Sequence, residues 1–311
     1  MDSGKASVQP TEPEGSLLRE GTASVPGPPS PGDTGARQDQ RRLQPTNVSP
    51  GGPADILIPG LEVYTPNLDH FYLKMLVYGK PGVGKTTLAA SAGKLARTGP
   101  ALLLNIDPGG LAVVGMPGVK VVDIKSWSDV YKVISYLKSL VPSPPPFKTL
   151  IIDSLTELQY LNLDAISRAR NKGKETDEIY LDEYGISTRQ IRRLVRWLRD
   201  YPIHVVYTAQ EGTSKDKEQD ETIFPALTDK LRIALLAYMD IIAYLRTLVK
   251  EVEGKPTLQR VAIFQPYGKF VAKDRSPGGR IGMQMANPSI PRILQRIYKE
   301  ENVTDAENQP S

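Results

Sequence analysis

The sequence predicts an α/β fold in which a mostly parallel sheet carries helices on both faces. Three observations predict it. Short apolar runs of strand length alternate along the chain with segments of helical period. One such run, residues 73–78, leads directly into Gly79-Lys80-Pro81-Gly82-Val83-Gly84-Lys85-Thr86-Thr87 and then into a helix-forming segment. Of two further runs, 149–153 ends in a carboxylate and 101–106 runs straight into one, Asp107, and the carboxyl ends of strands in an open parallel sheet form its ligand-binding edge.

The segment from Gly79 to Thr87 matches G-x-x-x-x-G-K-[ST], with the strand before it and the helix after it that a phosphate-cradling loop requires. Its glycines let the backbone curl so that successive N–H groups point at phosphate oxygens, and the helix adds its positive N-terminal end. Lys85 then supplies a point charge to the β- and γ-phosphates, and the Thr86 hydroxyl is a natural Mg²⁺ ligand. ATP with Mg²⁺ is the expected occupant.

Composition sets outer bounds. The 311 residues, 40% hydrophobic, suffice for a sizeable core, and 39 Lys+Arg against 35 Asp+Glu leave a mild basicity that permits a nucleic-acid partner without demanding one. Cysteine is absent and histidine occurs only at His70 and His204, which excludes a disulfide framework and a Cys/His zinc site. No apolar run approaches membrane-span length and the start is polar. A cytoplasmic protein without a membrane partner is expected.

Residues 1–53 are rich in Pro, Gly, Ser, Thr and Gln and read as a disordered tail, with Arg37, Arg41 and Arg42 either solvated or a basic arm. Residues 54–300 read as one ATPase domain, starting with a covering segment at 56–59, and 301–311 as a polar tail. After the loop helix, Gly99-Pro100 breaks the chain before the strand 101–106, which runs into Asp107. A strand at 119–124 and a helix from Ser126 or Ser128 follow, and the proline-rich 142–146 is a connector. The strand 149–153 has the form of a Walker B strand, whose Asp153 orders Mg²⁺ or its water shell. Ser154 and Glu157 supply a capping box for the next helix, leaving Asp153 free for the metal.

That helix runs to about 170, followed by a charged excursion at 171–178 and a helix over 188–200 with Arg189, Arg192, Arg193, Arg196 and Arg199 around its apolar face. These arginines are either solvated surface or a phosphate-backbone contact. The strand 203–208 ends at Gln210, a polar side chain placed to sense a γ-phosphate or orient water, and a polar loop follows over 212–221. A helix from 228 to 239, a strand at 240–245, a β-ribbon formed by 259–264 and 269–273, and a closing helix at 287–300 complete the reading.

In this order, the loop from Gly79 to Thr87, Asn105 to Gly110 with its Asp107, Ile151-Ile152-Asp153-Ser154, Thr208-Ala209-Gln210-Glu211, the strand 240–245 and Ala272-Lys273-Asp274-Arg275 resemble the RecA-like P-loop ATP-binding proteins of bacteriophages, including the single-strand annealing and recombination group. The resemblance spans residues 56–298. It implies a homo-oligomer with ATP at subunit interfaces, Lys85 and Thr86 on triphosphate and Mg²⁺, Asp153 as Walker B carboxylate and Gln210 as sensor. It also implies Asp107 as catalytic base, shorter than the usual Glu, and Lys273 and Arg275 as positive fingers reaching a neighbour's site.

Two functions follow. One is an ATPase that binds single-stranded DNA and promotes annealing or recombination, with DNA contacts at Lys172, Lys174, Tyr180, Tyr184 and Phe224 through charge and base stacking. The alternative is a nucleotide-switched loader or assembly factor that touches no DNA.

Overall fold

In the computed structural model the described residues are 64–68, 71–107, 109–141, 143–174, 178–215, 221–252 and 254–299. The expected tails at 1–53 and 301–311, the covering segment at 56–59 and the arginines of the N-terminal arm lie outside them. In chain order the elements are β1 (Lys74–Gly79), α1 (Lys85–Ala90), β2 (Ala101–Asn105), β3 (Val119–Asp123), α2 (Trp127–Ser139), β4 (Thr149–Asp153), α3 (Leu155–Arg170), α4 (Leu181–Asp200), β5 (His204–Lys215), β6 (Glu221–Pro225), α5 (Asp229–Tyr238), β7 (Ile241–Val252), β8 (Lys255–Ile263), β9 (Lys273–Asp274), β10 (Gln284–Ala286) and α6 (Ile290–Tyr298).

The strands join in the order β10-β8-β7-β1-β5-β4-β2-β3, with β6 on β5 and β9 on β7. From β7 to β3 every neighbouring pair is parallel, while β8, β10, β6 and β9 pair antiparallel. This is the expected α/β class, a mostly parallel sheet with helices on both faces and a β-ribbon toward the C-terminus. Its functional consequence lies in the middle of the order: β5 separates the loop strand β1 from the carboxylate strand β4, so the end of β5 falls between them.

Alternation along the buried strands builds two cores. Leu76, Tyr78, Leu150, Ile152, Val205 and Tyr207 face the side covered by α2, α3, α4 and α5. Met75, Val77, Ile151 and Val206 face the side of α1 and α6. Period-2 side-chain direction in strands buried on both faces requires apolar residues at every position, which is why these runs read as continuous.

Four elements differ from their sequence-based reading. Helix α1 stops at Ala90 and tightens into a 3₁₀ turn over Ser91–Lys94, where the Ser91 hydroxyl accepts from the Ile290 N–H at 2.8 Å and so seats α6. Helix α4 begins at Leu181, not 188, because the buried Glu183 carboxylate accepts the Tyr180 N–H at 2.9 Å and caps its first turn. The start of the polar stretch after Gln210 is strand: β5 runs on to Lys215 and pairs with β6, while 216–220 lie outside the described residues. The ribbon is β7 with β8, register Tyr244↔Ile263 to Val252↔Lys255, and not 259–264 with 269–273. Gly254, at φ 74°, supplies the left-handed residue its tight return needs.

Below the sheet's nucleotide edge, at the starting ends of the strands, two buried polar side chains lock β1 to its neighbours. The Lys74 ammonium donates to the carbonyls of Leu198 at 3.0 Å, Tyr201 at 2.8 Å and Ile203 at 2.5 Å, closing the C-terminal end of α4. Burial draws its pKa down to about 7, against the pull of Asp240 and Asp200. His204 Nδ1 accepts the Leu73 N–H at 3.0 Å, so this ring works as a neutral acceptor inside the core.

Burial, with the positive charges of Lys74 and Arg97 adding to it, lowers the His204 pKa from 6.5 to about 4. Between those values the unfolded chain binds a proton that the folded chain refuses, so His204's contribution is complete above about pH 6.5 and is lost as pH falls through about 4, by at most about 3 kcal/mol. Urea unfolding of wild type and His204→Gln from pH 7 to pH 4 should show that slope in the wild type and a flatter one in the variant. Parallel slopes would mean that the ring titrates normally in the folded state.

Candidate functional site

Residues Gly79 to Thr87 leave the end of β1 and wrap onto the start of α1. Gly79 sits at φ 156°, and a Cβ there would lie 2.2 Å from the Leu245 carbonyl oxygen. No larger residue fits between the loop and the neighbouring strand β7. Lys80, Pro81 and Gly82 are exposed at the tip, whereas Val83 packs into the core.

The Lys85 side chain folds back over the loop. Its Nζ donates to the Gly79 carbonyl at 3.0 Å, the Lys80 carbonyl at 2.9 Å and Gln210 Oε1 at 3.2 Å. Burial lowers its pKa, while Asp153, Asp107 and Glu211 pull it back up. A buried ammonium held by neutral carbonyls is a site for an anion. Thr87 follows Thr86 in the first turn of α1 and is half-buried.

Across the loop, Thr86 Oγ1 donates to Asp153 Oδ2 at 2.7 Å. Thr208 of β5 donates to the other oxygen, Oδ1, and the Asp153 carbonyl accepts the N–H groups of Ile106 at 2.8 Å and Asp107 at 3.0 Å. Thr86 and Asp153 therefore share one edge of the loop, and as a hydroxyl and a carboxylate they are the oxygen donors that suit Mg²⁺, which draws its remaining ligands from phosphate and water. Among the described residues no group of three or more His, Asp or Glu is gathered as an all-protein metal cage.

The third side is closed by Gln210. Its Oε1 accepts from Lys85 and its Nε2 lies 3.4 Å from Asp107 Oδ2. Its backbone is fixed independently: the Gln210 N–H donates to Thr156 Oγ1 at 3.0 Å, and its carbonyl accepts the Ala226 N–H at 2.8 Å. The structure thus brings together Lys85, Thr86, Asp107, Asp153 and Gln210.

The remaining candidates lie elsewhere. Helices α3 and α4 pack antiparallel, with Asn162 Nδ2 on Gln190 Oε1 at 2.7 Å and Arg170 on Asp182 at 2.8 Å. The connection carrying Lys172 and Lys174 is therefore the length of α3, about 24 Å, from Ser154, and does not border the phosphate loop. Tyr180 caps α4 with the Arg170 guanidinium 4.2 Å over its ring, and Tyr184 lies within α4. Phe224, on β6, carries the Arg232 guanidinium at 3.7 Å. Lys273 donates to the Leu236 carbonyl of its own chain at 2.8 Å, and Arg275 is exposed. Both sit beside Ile241 and Ile242, at the end of the sheet opposite the loop.

Three neighbours of the site were not singled out in sequence. Thr208 is a lone hydroxyl in an apolar strand. Glu157, read only as a cap, lies close enough to Asp107 that burial, followed by that carboxylate, raises its pKa. Glu211 accepts from the Tyr244 hydroxyl at 3.0 Å and raises its pKa to about 12, after the larger effect of burial.

A family model described as an AAA domain matches residues 72–276, 205 of the 311 residues. The chain belongs to that family. The matched span runs from the start of β1 past β9 and contains every group of the phosphate site. No curated protein matches the chain. Among solved structures, the flagellar accessory protein FlaH from Methanocaldococcus jannaschii is similar at 11% identity, covering 69% of this chain and 84% of that one, with a TM-score of 0.35. The AAA domain has the P-loop expected of a nucleotide-binding ATPase family. No helix among its described residues is long and apolar enough to cross a membrane.

Replacing Lys85 by Ala removes the charge that the loop is built around. Titration of the purified AAA domain with a fluorescent ATP analogue should show binding weakened by at least about tenfold, with hydrolysis abolished. Near-wild-type affinity and turnover would remove Lys85 from the site.

Proposed function

We propose that this AAA domain binds ATP with Mg²⁺, hydrolyses it, and passes its nucleotide state along β5 to a macromolecular partner. The observation that carries this reading is the chain Lys85–Gln210–Asp107, which ties the phosphate loop to a carboxylate through one side chain on the strand between them. Lys85 would hold the β- and γ-phosphates. Thr86 and Asp153 would hold Mg²⁺, which would supply positive charge to neutralise the phosphates. A water placed by Gln210 and Asp107 attacks the γ-phosphorus, the bond to the β-γ bridging oxygen breaks, Asp107 takes the water's proton, and ADP leaves with phosphate following.

The same reading explains why Gln210 is anchored from its backbone. Thr156 and Ala226 fix where β5 passes the site, so a change at the side chain is felt by the β5–β6 hairpin beyond it. A γ-phosphate would compete with Gln210 for Lys85, and its loss on hydrolysis would restore the 3.2 Å contact. For assembly, a homo-oligomer with ATP between subunits accords with an exposed Arg275 as the finger, in preference to the internally bound Lys273.

Single-stranded DNA, with annealing or recombination as in the bacteriophage RecA-like group, is the partner we favour. The basic surface that suits it is α4, where Arg189, Arg192, Arg193 and Arg196 are exposed along one stripe, together with Lys172 and Lys174. The hairpin after Gln210 is a poor phosphate contact, because Glu211, Asp216, Glu218, Asp220 and Glu221 outnumber Lys215 and Lys217. The loader or assembly-factor reading keeps the switch and replaces DNA by a protein.

Two measurements separate these parts. Asp107→Asn should lower turnover by about a hundredfold while leaving nucleotide affinity within about threefold, since a group that moves the water's proton acts in the transition state; equal losses in both would make Asp107 a structural or metal-shell residue. Filter binding of labelled single-stranded DNA should show affinity that falls with salt, is higher with ATP than with ADP, and drops at least about tenfold in Arg192→Glu/Arg193→Glu. Absence of binding at low salt in both nucleotide states would favour the protein-partner switch.

A further inference from the structure

The ribbon touches the phosphate loop at two points. Leu245 of β7 closes on Gly79, as described above. From β8, opposite Thr247 in the ribbon register, Arg260 reaches the other end of the loop: its Nε donates to the Val83 carbonyl at 3.1 Å. A Cβ on Gly84 would lie 2.5 Å from Arg260 Nε and 3.1 Å from both Cδ and Cζ. Gly84 stands at φ 97° immediately before Lys85, so the guanidinium lies against the backbone turn that presents the loop's N–H groups.

Three features distinguish this arginine from a surface one. It uses one of its five N–H donors on the loop, and among the described residues no other hydrogen bond or ion pair engages the two terminal nitrogens. It is exposed, so its charge is open to an entering ligand. It also arrives from the β7 side of β1, whereas Gln210, Asp153 and Asp107 lie on the β5, β4 and β2 side. The γ-phosphate and Mg²⁺ belong with the latter groups, which leaves the flank of Arg260 to the part of the nucleotide away from the reacting bond.

We propose that Arg260 is a nucleotide-binding residue supplied in cis by the ribbon: its Nε–H holds the Val83 carbonyl, and its remaining guanidinium donors take phosphate oxygen on the flank of the loop away from the hydrolytic groups. This rests on the nucleotide reading above. The residue belongs to the ground state as much as to the transition state, because its target keeps its charge throughout the reaction. Its loss should therefore appear in affinity and not in the chemical step.

The test compares wild type, Arg260→Ala and Arg260→Lys in titrations with ADP and with ATP plus Mg²⁺, together with steady-state hydrolysis and thermal melting with and without ADP. The expected result for Arg260→Ala is about tenfold weaker binding of both nucleotides, kcat within about threefold at saturation, and a reduced ADP-induced rise in Tm from an unchanged starting Tm; Arg260→Lys recovers part of the affinity. Unchanged affinity in Arg260→Ala, an affinity loss that follows a fall in the Tm of the nucleotide-free protein and is not recovered by Lys, or a fall in kcat with KM unchanged would each overturn the inference. Failure of the wild type itself to bind either nucleotide would instead sink the nucleotide reading, so the two failures are distinct.

Discussion

Asp153 is the constraint on which the site depends. Its side chain is buried, it accepts hydroxyl donors from α1 and β5 through Thr86 and Thr208, and its carbonyl accepts the backbone N–H groups that lead into Asp107. Four segments that are distant in sequence thus meet on one residue. Neutral donors satisfy the hydrogen bonding of a buried carboxylate but leave its charge without a cation at contact. Lys85 supplies the opposite charge from across the loop, close enough for Asp153 to pull its pKa up against the lowering by burial, without forming an ion pair. A buried cation and a buried anion kept apart, each with polar partners, make a cleft in which a bound anion and a bound cation can complete the charge balance together. Mg²⁺ with a triphosphate has that composition.

The strand order converts this arrangement into a device. Had β4 lain next to β1, Lys85 and Asp153 would be bridged directly and no third element would sense what fills the gap. Because β5 intervenes, Gln210 is placed between Lys85 and Asp107, and β5 continues five registers past the site edge in an antiparallel pair with β6. A switch needs an element with a differential interaction in the two nucleotide states. Gln210 qualifies since its contact with Lys85 and a γ-phosphate's contact with Lys85 draw on the same ammonium.

Much of this was legible in sequence because it is local. The phosphate loop, the apolar strands, the carboxylate that ends β4, the one that follows β2, and Ser154 as a helix cap depend on residues within a few positions of one another. What was not legible depends on long-range register. Thr208 has the same local setting as any hydroxyl in a strand, and only the pairing of β4 with β5 brings it to Asp153. The true ribbon has a weak sequence signal: residues 246–252, Arg-Thr-Leu-Val-Lys-Glu-Val, do not alternate polar with apolar, and only the return at Gly254 pairs them with β8. Helix α4 was begun late since Gly185 interrupts the helical reading, and the buried Glu183 that starts the helix earlier looks in sequence like one more surface acid. Tyr180 and Phe224, taken for free stacking platforms, each carry an arginine of the same chain on the ring, a pairing that spacing in sequence does not reveal.

The distribution of charge sets what the two sides of the molecule can do. The hairpin nearest Gln210 is acidic, while the arginine stripe lies on α4, whose far end is joined to α3 about 24 Å along that helix from Ser154. On the proposed reading, a nucleotide-dependent change at Gln210 would have to reach α4 through packed structure and not through a shared loop. Thr156 provides the first link, since its hydroxyl accepts from the Gln210 N–H and donates to the Ala226 carbonyl at 3.2 Å, with Gln159 one turn further along α3 donating to Thr228 at 2.7 Å. These bonds join β5, α3 and the start of α5, and α4 packs between α3 and α5. Rigid elements bonded at both ends transmit a displacement that a flexible excursion would absorb, so on the proposed reading the polar seam along α3 is the route by which a phosphate site on one edge of the sheet would bias a basic helix outside it.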